Sequence, residues 1–357
     1  MIVYTIPLFL LSVLSCLEDK NNYYSFIKNK YFYFLVVSFL FFFIGFRDQI
    51  GCDWDAYLRN FNNVSISNWE DFTFNKSSNF FEIGYTAVSK LISYKFNFNY
   101  LILVISIFFT IPLFYFCFIL KRTYLSLLIS YPYFIVVVGM GPLRQSAAIG
   151  FVMLSLILML KSKFNLVYIF SIIASLFHSS AILFTSFVFL NLNKLRKKQY
   201  KVFLISIFTL GIILLLIYNF DSIYLKLTYY LKNYKNASSA IFVWFLNFPP
   251  MILYFLNTSK FNFDRNLKNI CNFFFCFEIF LLPLIFISNV LAYRFLLYCF
   301  PISICIVSYL PDAQIFKIKS KYIIYMIIFL SFFSFLFWMK FANHSYCWLP
   351  YQNYFLN

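Results

Sequence analysis

The sequence predicts an all-α fold, a polytopic bundle of transmembrane helices with about 12 spans (range 10–13) and one long external loop. Three observations carry that expectation. Hydrophobic residues make up 62% of the 357-residue chain and charged residues only 11%, less than half of the roughly 25% that a soluble domain uses to cover its surface. The apolar residues gather in continuous runs of a length suited to membrane helices, with no alternating pattern of the kind a barrel needs. The Lys and Arg residues, in turn, gather in short clusters between those runs. Soluble globular and disordered classes are thereby excluded. Eight scattered cysteines and a Gly plus Pro content of 7 and 10 exclude disulfide scaffolds and collagen as well.

The elements follow in order along one membrane domain, residues 1–357. The run 1–17 lacks the basic segment of a secretory signal and is expected to be a retained first span. The run 31–46 follows Lys20, Lys28 and Lys30 and leads into an external loop at 47–97. That loop carries six acidic residues against five basic ones, so it is acidic in a chain of net charge +17. Its part from Phe80 to Phe96 is apolar enough to lie along the membrane surface as an amphipathic helix over 80–96. Runs at 98–120, 123–139 and 143–160 are separated or followed by Lys121-Arg122 and by Lys161 and Lys163. The segment 164–192 lies between basic clusters, so it must cross an even number of times. Its 29 residues suit a short helical hairpin with its tip near Phe177-His178-Ser179-Ser180, or a re-entrant loop.

A run at 202–219, a second external loop at 220–240 and runs at 241–256, 270–289, 293–310 and 322–341 complete the chain, with a last external segment at 342–357. The double proline Pro249-Pro250 is expected to break its helix and line a cavity. Placing the basic loops in the cytoplasm puts 18 of the 29 Lys and Arg inside, which accounts for +14 of the net charge. The basicity then sets orientation, and no nucleic-acid partner is expected. Six cysteines, Cys16, Cys117, Cys271, Cys276, Cys299 and Cys305, fall mostly within apolar runs. Cys52 and Cys347 face the external, oxidising side, where a disulfide between them is not expected.

Chemistry is sought among ionisable groups at the membrane edge, because such groups are costly there and mark functional sites. Arg47, Arg144, His178 and Arg294 all fall on the external side, against the positive-inside bias. A ligand with clustered negative charge would account for the arginines, since guanidinium forks bind phosphates bidentately. The segment Gly45-Phe46-Arg47-Asp48-Gln49-Ile50-Gly51-Cys52-Asp53-Trp54-Asp55-Ala56-Tyr57 adds carboxylates and rings of the kind that hold sugars, with Asp55 and Tyr57 among the binding candidates. Asp53-x-Asp55 has the form of an acidic pair, but two carboxylates make a poor cation site. No CxxC or Cys/His spacing occurs either, so neither a metal nor a cofactor is expected. Glu278, inside a run, is either a buried functional acid or the partner of an arginine.

In this order the motifs resemble the EpsG-like and Wzy-type bacterial polysaccharide polymerases. The residues that carry the resemblance are Arg47, Gly51-Cys52-Asp53, Tyr57, Glu82-Ile83-Gly84-Tyr85, Arg144-Gln145-Ser146-Ala147-Ala148, Phe177-His178-Ser179-Ser180-Ala181 and Arg294 with Tyr298. The resemblance implies a GT-C-like glycosyltransferase of the bacterial inner membrane with a periplasmic active face, an O-antigen polymerase that joins undecaprenyl-diphosphate-linked oligosaccharide units. It implies a chain-length regulator and a flippase as partners by analogy. Arg144, Arg294 and Arg47 would then stabilise the diphosphate. Asp53 and His178 are the candidate general bases, His178 being favoured for its intrinsic pKa near working pH. Glu82, Tyr57, Tyr85, Asp55, Gln145 and Tyr298 would bind or orient substrate. A lipid-linked oligosaccharide flippase and an O-antigen ligase are the alternative readings.

Overall fold

The computed structural model describes residues 1–19, 29–69, 82–182, 239–315 and 318–355, together with Phe184 and Thr228. The run 202–219, the basic cluster at 194–201, most of 179–192 and nearly all of the loop 220–240 lie outside them, as do Lys20, Lys28, Glu70, Asp71 and Lys76. Within the described residues the fold is helical. Its helices are α1 (Ile2–Asp19), α2 (Lys30–Gly45), α3 (Trp54–Ile66), α4 (Ile83–Ser93), α5 (Phe98–Ile119), α6 (Thr123–Ser130), α7 (Leu143–Leu160), α8 (Phe164–Phe177), α9 (Ser239–Leu256), α10 (Arg265–Ile287), α11 (Asn289–Leu296), α12 (Phe300–Tyr309) and α13 (Ser320–Phe341). The strands β1 (Arg47–Asp48) and β2 (Gln352–Asn353) form one short antiparallel pair.

Helices α5, α7, α9, α10 and α13 are long and apolar enough to cross a membrane, at 18 to 23 residues each. At 1.5 Å per residue such helices reach about 27–35 Å, the scale of a hydrocarbon core. The expected run 293–310 is instead two helices, α11 and α12, bent by 49°. The bend falls at Leu297–Cys299, and Pro301 sits in the first turn of α12, where its missing N–H costs no hydrogen bond. Counted as one span, this pair brings the number to six among the described residues. Shorter apolar helices, α1, α2, α8 and α6 with the π-helical stretch Tyr131–Val138 that prolongs it, complete the bundle. The double proline does not interrupt α9, which runs through Pro249 and Pro250. The Ser303 hydroxyl of α12 donates to the Asn247 carbonyl at 3.3 Å, so a neighbouring helix serves an acceptor beside the prolines.

The centre of the packing is the pair α5 and α7. A Cβ placed on Gly150 would lie 1.9 Å from the Phe108 carbonyl oxygen, so the two backbones meet at a distance that only glycine permits. Phe108, Phe151 and Phe177 close around this contact with ring centroids 5.1–5.7 Å apart. The outward side of α13 is different. Phe329, Phe333 and Phe337 are exposed along it, as expected of a lipid-facing stripe.

The charged side chains that make contacts lie towards the two ends of the bundle. At one end the Glu18 carboxylate accepts the N–H groups of Thr123, Tyr124 and Leu125 at 2.7, 3.1 and 3.3 Å, capping α6. There too Arg122 donates to both Asp312 oxygens at 3.0 and 2.9 Å, and Asn266 to the Ser162 hydroxyl at 3.2 Å. At the other end the C-terminal segment crosses the bundle as a strap. β2 pairs with β1, Gly51 N–H donates to the Cys347 carbonyl, and Tyr354 N–H to that of Phe46. The Tyr4 hydroxyl donates to the Trp348 carbonyl at 2.8 Å, and the Trp348 indole to that of Val136 at 2.9 Å. Cys52 and Cys347 are joined in a disulfide with Cα atoms 5.2 Å apart, contrary to the sequence expectation. The strap brings together two cysteines separated by 295 residues, a proximity that spacing along the chain cannot reveal.

Two outcomes follow from this packing. Gly150→Ala should lower stability by about 1–3 kcal/mol through overpacking, and Gly150→Leu should abolish monodisperse protein in detergent size-exclusion runs. Wild-type behaviour of the leucine variant would refute the close approach. Cys52 and Cys347 should resist maleimide labelling until reduced, and Cys347→Ser should expose Cys52 and remove about 2–4 kcal/mol of stabilisation, read as a fall in Tm.

Candidate active site

The site assembles at the strapped end, from the termini of helices. Gly51 makes the turn from β1 into α3 with φ +100°, and its missing Cβ lets the Met140 carbonyl approach to where a Cβ would be 3.0 Å away. This turn delivers Asp53 and Asp55, both exposed, to the start of α3. Trp54 packs edge-on against Phe98 at 5.2 Å and fastens α3 to α5. Lys90 of α4 donates to the Ser65 and Ser67 carbonyls at 3.0 and 2.7 Å, so it caps the far end of α3. The described part of the expected external loop is thus built largely of two packed helices. The surface helix placed at 80–96 corresponds to α4, 83–93, with Glu82 at its head.

Arg144 is the second residue of α7 and forms an ion pair with Glu82. Its guanidinium lies over two rings, 4.9 Å from the Tyr85 centroid and 5.7 Å from that of Tyr57. Tyr85 is fully buried, and burial pushes its hydroxyl pKa up to about 12 despite the nearby Arg144 cation. The Arg144 Nε is buried without an acceptor among the described residues, so the cation retains binding capacity beyond Glu82. Tyr57 lies within electrostatic reach of Arg144, Asp53, Tyr85 and Glu82, and Tyr293 within that of Asp53 and Arg294. Six residues expected from distant parts of the sequence therefore share one region: Asp53, Tyr57, Glu82, Tyr85, Arg144 and Arg294.

Arg47 is placed differently from the expectation. Its side chain is 1% exposed and is used inside the fold. Nε donates to the Met140 carbonyl at 3.1 Å, and Nη1 to the Ile44 carbonyl and the Ser106 hydroxyl at 2.7 and 3.1 Å. Desolvation lowers its pKa to about 10, which still leaves a cation at neutral pH. Gln145 is also turned inward, donating to the Arg294 carbonyl at 2.8 Å and so tying α7 to α11. Both side chains are buried and hold neighbouring backbone in place.

His178 ends α8 and caps the 3-10 turn Ser179–Ala181. Its Nδ1 accepts the Ser180 main-chain N–H at 3.1 Å and lies 2.9 Å from the Ser180 hydroxyl. That hydroxyl is in turn 2.9 Å from the hydroxyl of Tyr298, which is buried. In the sequence Ser180 stands out only as part of the Phe177–Ala181 motif, with no role attached, because its partner lies 118 residues further along the chain. Glu278 stands apart in α10. It is fully buried, and no cation pairs with it among the described residues, so the arginine-partner reading of this acid finds no support there. No three His, Cys, Asp or Glu side chains among the described residues converge closely enough to hold a metal ion.

No curated protein and no solved structure matches the chain. The profile of the EpsG family matches residues 30–353, a stretch that contains every residue of the site and both halves of the strap. The chain is a multi-pass membrane protein, and it belongs to the EpsG family.

Proposed function

We infer that the chain, as a member of the EpsG family, acts in polysaccharide biosynthesis at a membrane. Within that frame we propose that it is a glycosyltransferase that polymerises oligosaccharide repeat units carried on undecaprenyl diphosphate, an O-antigen polymerase. The observation that carries the reading is Arg144, paired with Glu82 above Tyr57 and Tyr85 and sharing its end of the bundle with Arg294 and Asp53. In the reaction the acceptor hydroxyl attacks the anomeric carbon of the donor. The bond from that carbon to the diphosphate oxygen breaks, and the lipid diphosphate leaves with the electron pair. Arg144 and Arg294 stabilise the negative charge that grows on it, each contributing about 3–4 kcal/mol in a partly dry site. The proton of the acceptor hydroxyl passes to a base at the site, for which Asp53 and His178 are the candidates. Tyr57 and the exposed carboxylates of Asp53 and Asp55 supply the ring and acceptor groups that grip sugar hydroxyls.

Orientation follows the charges. The end that carries Arg122 and Lys161 is cytoplasmic by the positive-inside rule, and the strapped end faces the periplasm of a bacterial inner membrane. A disulfide at the strapped end suits an oxidising compartment and supports that orientation independently. A flippase would carry its charges along a cavity reached from both sides, whereas Asp53, Glu82, Arg144 and Arg294 gather at one end. Chain-length regulators and flippases remain partners by analogy with the family.

Deleting the gene in its host separates the readings. Loss of a polymerase leaves single repeat units on the surface, loss of a flippase leaves none, and loss of a ligase leaves polymer unattached. Arg144→Ala should cut polymer formation by about 100-fold or more, as expected for removal of a charge-stabilising donor, at unchanged protein level. Glu82→Gln should cut it by about 10-fold through loss of the ion pair that orients Arg144. Long polymer of normal abundance in the Arg144→Ala strain would overturn the assignment.

A further inference from the structure

The bend between α11 and α12 frees main-chain groups, and buried amide side chains take them up. In an unbroken helix the Arg294 carbonyl would accept from the Tyr298 N–H. That N–H turns to the Phe295 carbonyl instead, at 3.1 Å, and the Gln145 amide donates to the Arg294 carbonyl at 2.8 Å. The Leu296 carbonyl accepts from the Cys299 N–H at 3.0 Å and from the Asn247 amide at 2.9 Å. Beyond the bend, the Ser303 hydroxyl reaches back to the Asn247 carbonyl, so one residue of α9 is bonded to both halves of the broken span. At the head of α11 the Asn289 side-chain oxygen accepts from the Ala240 N–H at 2.9 Å. Gln145 is 2% exposed, Asn247 0% and Asn289 6%, so water does not compete for these bonds.

We propose that Gln145 and Asn247 are positioning residues that fix Arg294 relative to Arg144, so that the two arginines together grip the two phosphates of a lipid-linked diphosphate. The inference rests on the glycosyl-transfer reading above. Helix α11 has only eight residues and carries Arg294 in its last turn. A helix this short has little rigidity of its own, so its bonds to α7 and α9 decide where that turn lies. Gln145 is the chain neighbour of Arg144, and its bond to the Arg294 carbonyl links the backbones of the two arginines through a single contact. Asn247 holds the next carbonyls at the angle of the bend and keeps the turn from sliding along α9. The Arg144 Nε has no acceptor among the described residues, which leaves a donor for a phosphate oxygen. Spacing between the arginines matters only to a ligand that engages both at once. A diphosphate does so, whereas a monophosphate needs only one of them.

Full-length protein in lipid nanodiscs, titrated with undecaprenyl diphosphate and with undecaprenyl phosphate, reads the grip directly. Wild type should bind the diphosphate about 10-fold or more tightly than the monophosphate. Gln145→Met keeps the volume and removes the donor; Asn247→Leu acts from α9, away from Arg144. Each should lose most of the preference while its affinity for the monophosphate stays close to wild type. Combining Gln145→Met with Arg294→Ala should weaken diphosphate binding no further than Arg294→Ala alone, because a residue that acts through Arg294 has nothing left to position. A general packing defect behaves otherwise: both affinities fall together, and the losses of the paired variants multiply. That result, or full diphosphate preference in Gln145→Met and Asn247→Leu, would overturn the proposal. Failure of the glycosyl-transfer reading looks different: wild type would bind both lipids alike, and Arg144→Ala would leave the glycan in cells unchanged.

Discussion

The strapped end of the bundle is organised around one buried cation. Among the described residues no carboxylate pairs with Arg47; its charge is held by the carbonyl oxygens of Ile44 and Met140 and by the Ser106 hydroxyl. Removing a guanidinium from water costs several kcal/mol, and charge-assisted bonds to oriented carbonyls offset that cost only if their geometry is held. The three acceptors come from the end of α2, the middle of α5 and the junction before α7. One side chain thereby sets the relative height of three elements. Met140 lies four residues before Arg144, and Asp53 lies six residues after Arg47, so both sides of the site inherit their position from this contact.

The strap works on the same elements from above. Its strand pair continues the backbone of Arg47, and its disulfide fastens the residue before Asp53. Trp348 and Tyr4 add hydrogen bonds to main-chain carbonyls that would otherwise lie unserved at the edge of an apolar bundle. The placing of charged contacts towards the two ends has a simple origin. Within a hydrocarbon layer each unsatisfied polar group costs several kcal/mol, so the chain keeps its ion pairs where water or main-chain termini can share them.

The roles of the site residues divide by burial. Arg144 and Glu82 are half-buried, and Asp53 and Asp55 are exposed. Gln145, Arg47 and Tyr298 are buried and hold other parts of the protein in place. Linear motifs mix the two kinds. Arg144 and Gln145 are neighbours in the chain, yet one faces Glu82 and the other the Arg294 carbonyl, because successive residues of a helix point about 100° apart.

Much of this protein is legible in its sequence. Apolar runs and clustered basic residues suffice for an all-α membrane fold, since the bilayer leaves a chain of this composition few alternatives. The order of motifs is enough to single out Asp53, Glu82, Arg144, His178 and Arg294, because ionisable groups are rare against such a background. Other features need the tertiary structure: the bend at Leu297–Cys299, the continuity of α9 through two prolines, the Cys52–Cys347 bridge, the inward turn of Arg47, and the contact of Tyr298 with Ser180. Several of them depend on residues far apart in the chain, as with Ser303 beside Asn247 and Cys347 beside Cys52. Hydropathy and charge are properties of single segments and are written locally; hydrogen-bond satisfaction is a property of pairs brought together by packing, and only the folded chain decides it.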